Sequence, residues 1–209
     1  MVGAAVRGRL FSRDEPLAVS VSKDLPKSLC AAFPPVAAAD ARALILGTLP
    51  GAESLKRREY YAKKENSFWK IMGELAGAFP YLPYEDRLNR LRQNGIALWD
   101  VCASAHRAGS LDSNIQLSTV VPNDFGSFFK AHRHVELICF NGQPAERLFR
   151  RKVLAVFPDL ARLRRVVLPS TSPAHAGMRF ERKLALWREA LGDFAETPPA
   201  ALRRTISGV

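Results

Sequence analysis

The sequence has few cysteines and no long hydrophobic run. Its three cysteines, Cys30, Cys102 and Cys139, lie far apart along 209 residues. This number and spacing exclude a disulfide framework, a Cys-x-x-Cys redox motif and a four-cysteine metal site. No apolar run reaches the roughly 18 residues of a membrane span, and the N-terminus lacks the apolar region of a secretory signal. We therefore expect a protein of a reducing cytoplasm, with no membrane partner.

Acidic residues are scarce relative to basic ones. Lysine and arginine number 31, aspartate and glutamate 20, which leaves a formal net charge of +11. A surplus of this size favours a polyanionic partner, most often nucleic acid. A membrane surface would fit the charge as well, but no basic amphipathic helix stands out to support it.

The order of apolar segments predicts an α/β fold. Four short apolar runs, at 43–46, 96–99, 135–140 and 166–168, are typical of strands buried on both faces, as in a parallel sheet. Helical patterns around 68–76, 88–91, 145–157 and 180–194 alternate with them. This predicts a doubly wound sandwich within one domain, residues 40–197. An irregular, proline-rich extension (1–39) precedes it and a tail (198–209) follows.

The loops after the four predicted strands carry the unusual residues. They lie at 47–51, 100–112, 141–144 and 170–175. In such sheets ligands bind outside the carboxyl ends of the strands, so we expect these loops to converge on one site. The first loop, GTLPG, fits neither a Walker A motif nor Gly-x-Gly-x-x-Gly, but its tight turn can bring backbone close to a ligand.

Three ordered motifs resemble those of the uracil-DNA glycosylase superfamily, and most of all its hypoxanthine-DNA glycosylase branch. The first combines GTLPG (47–51), YYA (60–62) and NSFWKIM (66–72). The second is LWDV (98–101) continuing to RAGSLDSNI (107–115), and the third is LPSTSPAH (168–175). The resemblance covers residues 32–192. It implies a three-layer α/β/α sandwich around a central four-stranded parallel sheet, which agrees with the strand count above.

The activity that the resemblance implies is removal of hypoxanthine from deoxyinosine in DNA. Such an enzyme of base excision repair flips the base out of the stack, hydrolyses the N-glycosidic bond and leaves an abasic site. The expected partner is DNA with deaminated bases, bound by a monomer at a bacterial-type nucleoid, with no cofactor and no metal. Alternatives are a glycosylase for uracil, xanthine or mismatched thymine, a non-catalytic module that binds damaged DNA, and a basic protein with a small ligand.

Asn66 and Tyr61 are the main candidates for the chemistry. By resemblance Asn66 is the catalytic residue, because an amide can orient water or donate to the leaving base; it is also a good N-cap for the following helix. Tyr61 is the ring that stacks on the flipped base, a contact worth about 1–3 kcal/mol, with Tyr60 as the adjacent alternative. A lysine positioned for Schiff-base chemistry is not apparent, so we expect no lyase activity.

The other site residues are assigned by resemblance or, for Arg107 and Asp112, from the residue type. Leu49 occupies the slot that holds an acid or amide in uracil-specific relatives, which favours the hypoxanthine branch. Asp100 faces the base-reading pocket, or else caps a helix or forms a salt bridge. Asp112 is expected to N-cap a short helix, 113–117, rather than to act on substrate. The remaining substrate contacts are Gly47, Thr48, Pro50 and Phe68. The expected DNA contacts are Arg107, Ser170, Thr171, Ser172, Pro173 and His175, of which Ser170 stands where uracil-specific relatives have a histidine.

Overall fold

The computed structural model describes residues 29–192. Within this range the strands are β1 Leu29–Ala31, β2 Ala43–Gly47, β3 Ile96–Asp100, β4 Cys102–His106, β5 Val121–Pro122, β6 Leu137–Asn141 and β7 Arg164–Leu168. The α-helices are α1 Ala52–Arg57, α2 Phe68–Ala76, α3 Tyr84–Gln93, α4 Phe125–Ala131, α5 Gln143–Lys152 and α6 Phe180–Leu191. Short 3₁₀ helices lie at Asp112–Asn114, Leu117–Thr119 and Pro158–Arg162.

The central sheet has four parallel strands in the order β3-β2-β6-β7. Strand β2 lies in the middle, with Ala43 opposite both Ile96 and Leu137. The residues of β2, β3 and β6 are all buried, as expected for strands covered on both faces. The sheet therefore confirms the four strands that the apolar runs predict.

Alternate residues of β2 separate two hydrophobic layers. Ala43 and Ile45 belong to a core cluster with residues of α2, α3 and α6. Leu44 and Leu46 point to the other side, into a cluster with residues of α4 and α5. Each fully buried side chain of this size contributes about 1.5–3 kcal/mol of hydrophobic free energy. Helices thus cover both faces of the sheet, which confirms the three-layer α/β/α sandwich.

A second, antiparallel sheet was not predicted from the sequence. It has three short strands in the order β1-β4-β5. Strand β4 lies inside the segment 100–112 that the sequence indicated as a loop. Strand β1 and Val36, which pairs with Leu98, lie in the segment 1–39 predicted as irregular, so residues 29–39 pack against the domain. The rest of that segment and the predicted tail 198–209 lie outside the described residues.

Several predicted boundaries need correction. The third predicted helix, 145–157, is α5, which begins at Gln143 and ends at Lys152. The chain then turns, with the amides of Val153 and Leu154 both bonded to the Phe149 carbonyl, before a short 3₁₀ helix. The strand predicted at 135–140 begins two residues later. No helix in 29–192 is long and apolar enough to cross a membrane.

Candidate active site

The loops at the carboxyl ends of the four parallel strands enclose one cavity of about 1360 Å³. They bring together all three sequence motifs, as the topology of the sheet requires. The cavity wall includes every predicted site residue except Phe68 and Arg107. Its lining comes mainly from residues 47–54, 60–66, 110–113, 141–144 and 167–175.

The floor of the cavity lies where β2 and β3 end. Gly47, the last residue of β2, pairs with Asp100, the last residue of β3. A Cβ on Gly47 would collide with Asp100 Oδ1 and would lie 2.9 Å from the hydroxyl oxygen of Tyr61. Only glycine therefore leaves room for a carboxyl and a phenol to meet at this point. This close approach explains why the strand ends in glycine.

Asp100 and Tyr61 each present an unsatisfied polar atom at this floor. Asp100 is 3% exposed, and its Oδ2 has no hydrogen-bond partner among the described residues. The buried Tyr61 hydroxyl forms no hydrogen bond of good geometry within that range, although the side chain of Asn141 lies close enough to lower its pKa. A buried polar atom without a partner costs about 1–3 kcal/mol, so two of them at one cavity floor indicate a site for a polar ligand.

Burial controls the ionisation of the carboxyl groups here. Loss of solvent raises the pKa of Asp100 to about 7; the nearby Asp112 carboxylate raises it as well, and the Arg107 guanidinium opposes this. Burial and the charge of Asp100 also raise the pKa of the Tyr61 phenol, which stays protonated. Asp100 can therefore change its charge near neutral pH. Acids and bases of active sites often have pKa values moved in this way.

Tyr61 forms a flat wall above the floor. Its ring stacks on Phe68, with 4.0 Å between the centroids and 24° between the planes. Its backbone φ is +53°, in the left-handed region that non-glycine residues seldom adopt and that is often found at functional sites. Phe68 is fully buried and supports Tyr61 from behind, which corrects the prediction that Phe68 contacts substrate.

The adjacent tyrosine is part of the framework. Tyr60 is 3% exposed, and its hydroxyl donates to the carbonyl oxygens of Phe33 and Pro34. Its own carbonyl accepts the indole N–H of Trp69 at 2.8 Å. Because these bonds fix Tyr60 in the fold, Tyr61 is the better candidate for stacking.

Asn66 lies on the cavity wall just before α2. Its Oδ1 accepts the backbone N–H of Phe68 at 2.9 Å, but the N-cap of α2 is Ser67, which corrects the expectation that Asn66 is the N-cap. This bond fixes the plane of the amide. The amide nitrogen forms no hydrogen bond with residues 29–192 that would compete for it, and it remains available as a donor. The bond to the Phe68 amide is thus compatible with a role of the Asn66 amide nitrogen at the cavity.

Arg107 is buried rather than exposed to DNA. It is 2% exposed, and its Nη1 donates to the carbonyl oxygen of Leu49 at 3.1 Å. Nη2 donates to the carbonyl of Pro50, and Nε to that of Gly109 at 3.1 Å. The guanidinium therefore ties the first loop to the second. This corrects the expectation that Arg107 contacts DNA.

Asp112 also differs from its prediction as an N-cap. It is the first residue of a 3₁₀ helix whose N-cap is Leu111. Its Oδ1 instead accepts the Thr48 hydroxyl proton at 2.6 Å and lies 4.0 Å from Arg107 Nη1. Burial raises the pKa of the Asp112 carboxyl, while Thr48 and Arg107 oppose the increase. The carboxylate is thereby fixed against the first loop.

The loop 170–175, which carries the third motif, is anchored by Asn141, a residue of the 141–144 loop to which the sequence assigned no role. Asn141, at the end of β6, donates through Nδ2 to Thr171 Oγ1 at 2.8 Å and accepts from the Thr171 amide at 2.9 Å. The Thr171 carbonyl in turn accepts both the amide and the hydroxyl of Ser67. Thr171 is 1% exposed, so it connects β6, α2 and the loop and is not available to a phosphate, contrary to expectation.

The other residues of the loop 170–175 face the mouth of the cavity. Ser170 and Ser172 are half-buried, and each hydroxyl accepts a backbone amide two residues further on. Pro173 is half-buried and His175 is exposed. The buried Lys183 of α6 donates to the His175 carbonyl at 2.9 Å, which fastens the tip of the loop to the domain.

Charged side chains of both signs lie at the mouth of the cavity, where Glu53 and the exposed Glu65 offset part of the positive charge. Arg57, Lys63 and Lys64 are residues of the wall that reach solvent, whereas the arginine runs at 150–152 and 162–165 lie outside it. Cations at the rim suit the phosphates of a polyanion. Histidine, cysteine, aspartate and glutamate side chains in 29–192 form no group of three that could hold a metal ion.

Comparisons with known proteins agree with this geometry. The family model of the uracil DNA glycosylase superfamily matches residues 34–195. A hypoxanthine DNA glycosylase of Methanosarcina acetivorans is 39% identical over 114 residues, which cover 54% of this chain and 71% of the relative. One from Methanosarcina barkeri is 35% identical over 112 residues, covering 53% and 70%.

A solved structure supports the same relationship. It is the solution NMR structure of a candidate uracil DNA glycosylase from Methanosarcina acetivorans, with a TM-score of 0.62 and 32% sequence identity. The match covers 78% of this chain and 98% of the other. Together with the family model, which spans most of the sequence, these similarities show that the chain belongs to the uracil DNA glycosylase superfamily.

Proposed function

We propose that this protein is a monofunctional DNA glycosylase that removes hypoxanthine from deoxyinosine in DNA. The observation that carries the proposal is the cavity floor, where a buried carboxyl oxygen of Asp100 and the Tyr61 hydroxyl lack partners beside a stacked aromatic wall. Two relatives at 39% and 35% identity are hypoxanthine DNA glycosylases, which supports the choice of base.

The target base enters the cavity after it leaves the DNA stack. The cations at the rim attract the backbone phosphates, and the flipped base lies against Tyr61. Phe68 covers one face of the Tyr61 ring, so the base stacks on the other. Stacking of this kind contributes about 1–3 kcal/mol and tolerates any base, so discrimination has to come from the floor.

Asp100 supplies that discrimination. Hypoxanthine carries an N1–H donor, and an ionised Asp100 at the wall of the cavity accepts it. Adenine presents a lone pair at N1, which faces the carboxylate unfavourably. A site built to bond a donor rejects the analogue that lacks it, because its own polar atoms then remain unpaired.

Asn66 assists the departure of the base. The C1′–N9 bond breaks with its electron pair on the purine, and negative charge develops on the leaving group. Because Asn66 Oδ1 is bonded to the Phe68 amide, its Nδ2 is oriented as a donor toward that charge. Leu49, in the first loop, carries no group that could act on water.

A single-turnover assay tests the proposal. Labelled oligonucleotides that contain inosine, uracil, xanthine or a G·T mismatch, in single and double strands, are incubated with the protein and cleaved with alkali. We expect cleavage at inosine, and no protein–DNA adduct after borohydride treatment. Cleavage at uracil only would overturn the choice of base, and bound but uncleaved DNA would indicate a binding module.

Matched variants separate site effects from folding effects. We expect Asn66→Ala and Tyr61→Ala to abolish or strongly reduce cleavage at inosine. Their controls are Asn89→Ala and Tyr81→Ala, which remove the same side chains from positions outside the cavity. Equal losses in a site variant and its control would count against the assigned role.

A further inference from the structure

Hydrolysis of the glycosidic bond needs an anion or a base near the sugar, and the first loop offers none. Leu49 is buried among hydrophobic residues, and its neighbours in the loop are glycine, threonine and proline. A positive charge develops on the sugar as the bond breaks, and a carboxylate beside it both stabilises that charge and activates water. If the protein has the function proposed above, another element has to bring a carboxylate to this wall.

Four acidic residues of the described range line the cavity: Glu53, Glu65, Asp100 and Asp112. Glu65 is exposed, and Glu53 lies on α1 with its carboxylate 3.9 Å from the Arg57 guanidinium. Asp100 is almost completely buried in the floor, where it suits a base edge rather than water. Asp112 remains as an oriented carboxylate on the wall, with 35% of its side chain exposed.

The contacts of Asp112 fix its direction. Thr48, the residue before Leu49, donates its hydroxyl to Asp112 Oδ1 at 2.6 Å, across 64 positions of sequence. The loop that carries Asp112 is closed by a bridge between Arg107 and Ile115, and the same Arg107 binds the Leu49 and Pro50 carbonyls. One carboxyl oxygen is thus anchored beside the first loop, and Oδ2 is left for the cavity.

We propose that Asp112 is a catalytic residue of this site, taking the place of an acid in the first loop. Its carboxylate stabilises the oxocarbenium-like sugar and accepts a proton from the attacking water. The water oxygen forms a bond to C1′ as the C1′–N9 bond breaks, and the electron pair of that bond leaves with hypoxanthine. The proton on Asp112 then passes to solvent, and the base takes one up.

The raised pKa of the Asp112 carboxyl is consistent with this use. Burial makes the carboxylate more basic than one in water, and a general base works best when its pKa approaches the working pH. The Thr48 hydroxyl and the Arg107 guanidinium oppose this increase in the pKa. The contacts with Thr48 and Arg107 orient the Asp112 carboxylate, and its raised pKa is a second, supporting observation.

Asp112→Asn tests the inference, because asparagine keeps an oxygen that accepts the Thr48 hydroxyl and loses the charge. We expect the single-turnover rate on duplex deoxyinosine DNA to fall by about 100- to 1000-fold. The Kd for a duplex with 2′-fluoro-deoxyinosine, which resists cleavage, should change by less than about threefold. Asp159→Asn makes the same substitution at an exposed position outside the cavity and should retain at least about half of the rate.

A chemical rescue distinguishes a catalytic role from a structural one. Added formate should restore part of the activity of Asp112→Ala or Asp112→Gly, whichever retains a cooperative melting transition. Three results would each overturn the inference. The first is an Asp112→Asn rate within about threefold of the wild-type rate, and the second is a Kd that weakens as much as the rate falls. The third is the absence of rescue by formate. Wild-type protein without activity on inosine would instead refute the proposed function.

Discussion

Replacing Asp100 by asparagine should make the protein more stable in alkaline solution. The folded state raises the pKa of Asp100 from 3.8 to about 7, chiefly because the carboxyl is buried. Between these two values the folded protein holds a proton that the unfolded chain has released. The free energy of unfolding therefore falls as pH increases through this window and levels off above pH 7. The asparagine side chain has no proton to lose, so the variant lacks this decrease.

The size of the effect follows from the two pKa values. Each tenfold change in proton affinity corresponds to about 1.4 kcal/mol, which gives an upper limit of about 4 kcal/mol for Asp100. Integration between pH 5 and pH 8 assigns about 2.5 kcal/mol to that interval. The advantage of Asp100→Asn over the wild type should therefore increase by roughly this amount from pH 5 to pH 8.

Urea unfolding followed by tryptophan fluorescence measures this difference, since Trp99 and Trp187 are buried. Both proteins are unfolded at a series of pH values between 5 and 8. The control Asp40→Asn removes the same charge from an exposed position and shows what a surface aspartate contributes. An Asp100→Asn advantage that stays constant with pH, or one that decreases, would refute the reasoning about the cavity floor.

Three further outcomes follow from the same contacts. Gly47→Ala should abolish cleavage at inosine, because the new Cβ meets Asp100 Oδ1 and the Tyr61 hydroxyl; full activity in the assay above would contradict the description of the floor. Arg107→Lys should lower the free energy of unfolding by about 3 kcal/mol in urea, since lysine cannot span three carbonyls; a loss under about 1 kcal/mol would argue against that anchoring role. Discrimination against adenine should weaken below pH 7, where a protonated Asp100 can donate to adenine N1; an unchanged ratio of Kd values for 2′-fluoro-inosine and 2′-fluoro-adenosine duplexes at pH 6 and 8 would exclude this.

The fold follows from the sequence where burial leaves a strong pattern. Strands β2, β3 and β6 are fully buried and almost entirely apolar because both faces of the sheet are covered there, whereas the edge strand β7 begins with two arginines and is mostly exposed. Each of the four strands is predicted within two or three residues. The strands of the small sheet were missed for the opposite reason. Strand β4 reads Cys-Ala-Ser-Ala-His, and these small and polar residues carry no periodic signal. Its pairing with β1 and β5 depends on tertiary contacts that local composition does not encode.

The sequence predicts where the candidate site lies better than it predicts which contacts the site residues make. The rule that ligands bind at the carboxyl ends of parallel strands brought the motif loops together correctly. Arg107 was assigned to DNA because arginine is usually exposed, whereas here three carbonyl acceptors compensate its burial. The partner of Asp112 is Thr48, 64 residues away, and no local pattern indicates that contact. The sequence assigns no role to Asn141 because its partner, Thr171, lies 30 positions further along the chain.

The unfavourable features of the molecule converge on the cavity floor, and this gives selectivity a physical basis. Asp100 is a buried carboxyl with an unpaired oxygen, and Tyr61 combines an unpaired hydroxyl with a positive φ. A buried polar atom without a hydrogen-bond partner costs about 1–3 kcal/mol of free energy, and a ligand that bonds it recovers that cost. A base with a donor at N1 satisfies the ionised Asp100, whereas a base with a lone pair there leaves the carboxylate unpaired and adds repulsion. The buried carboxyl of Asp100 is therefore the group that separates hypoxanthine from adenine.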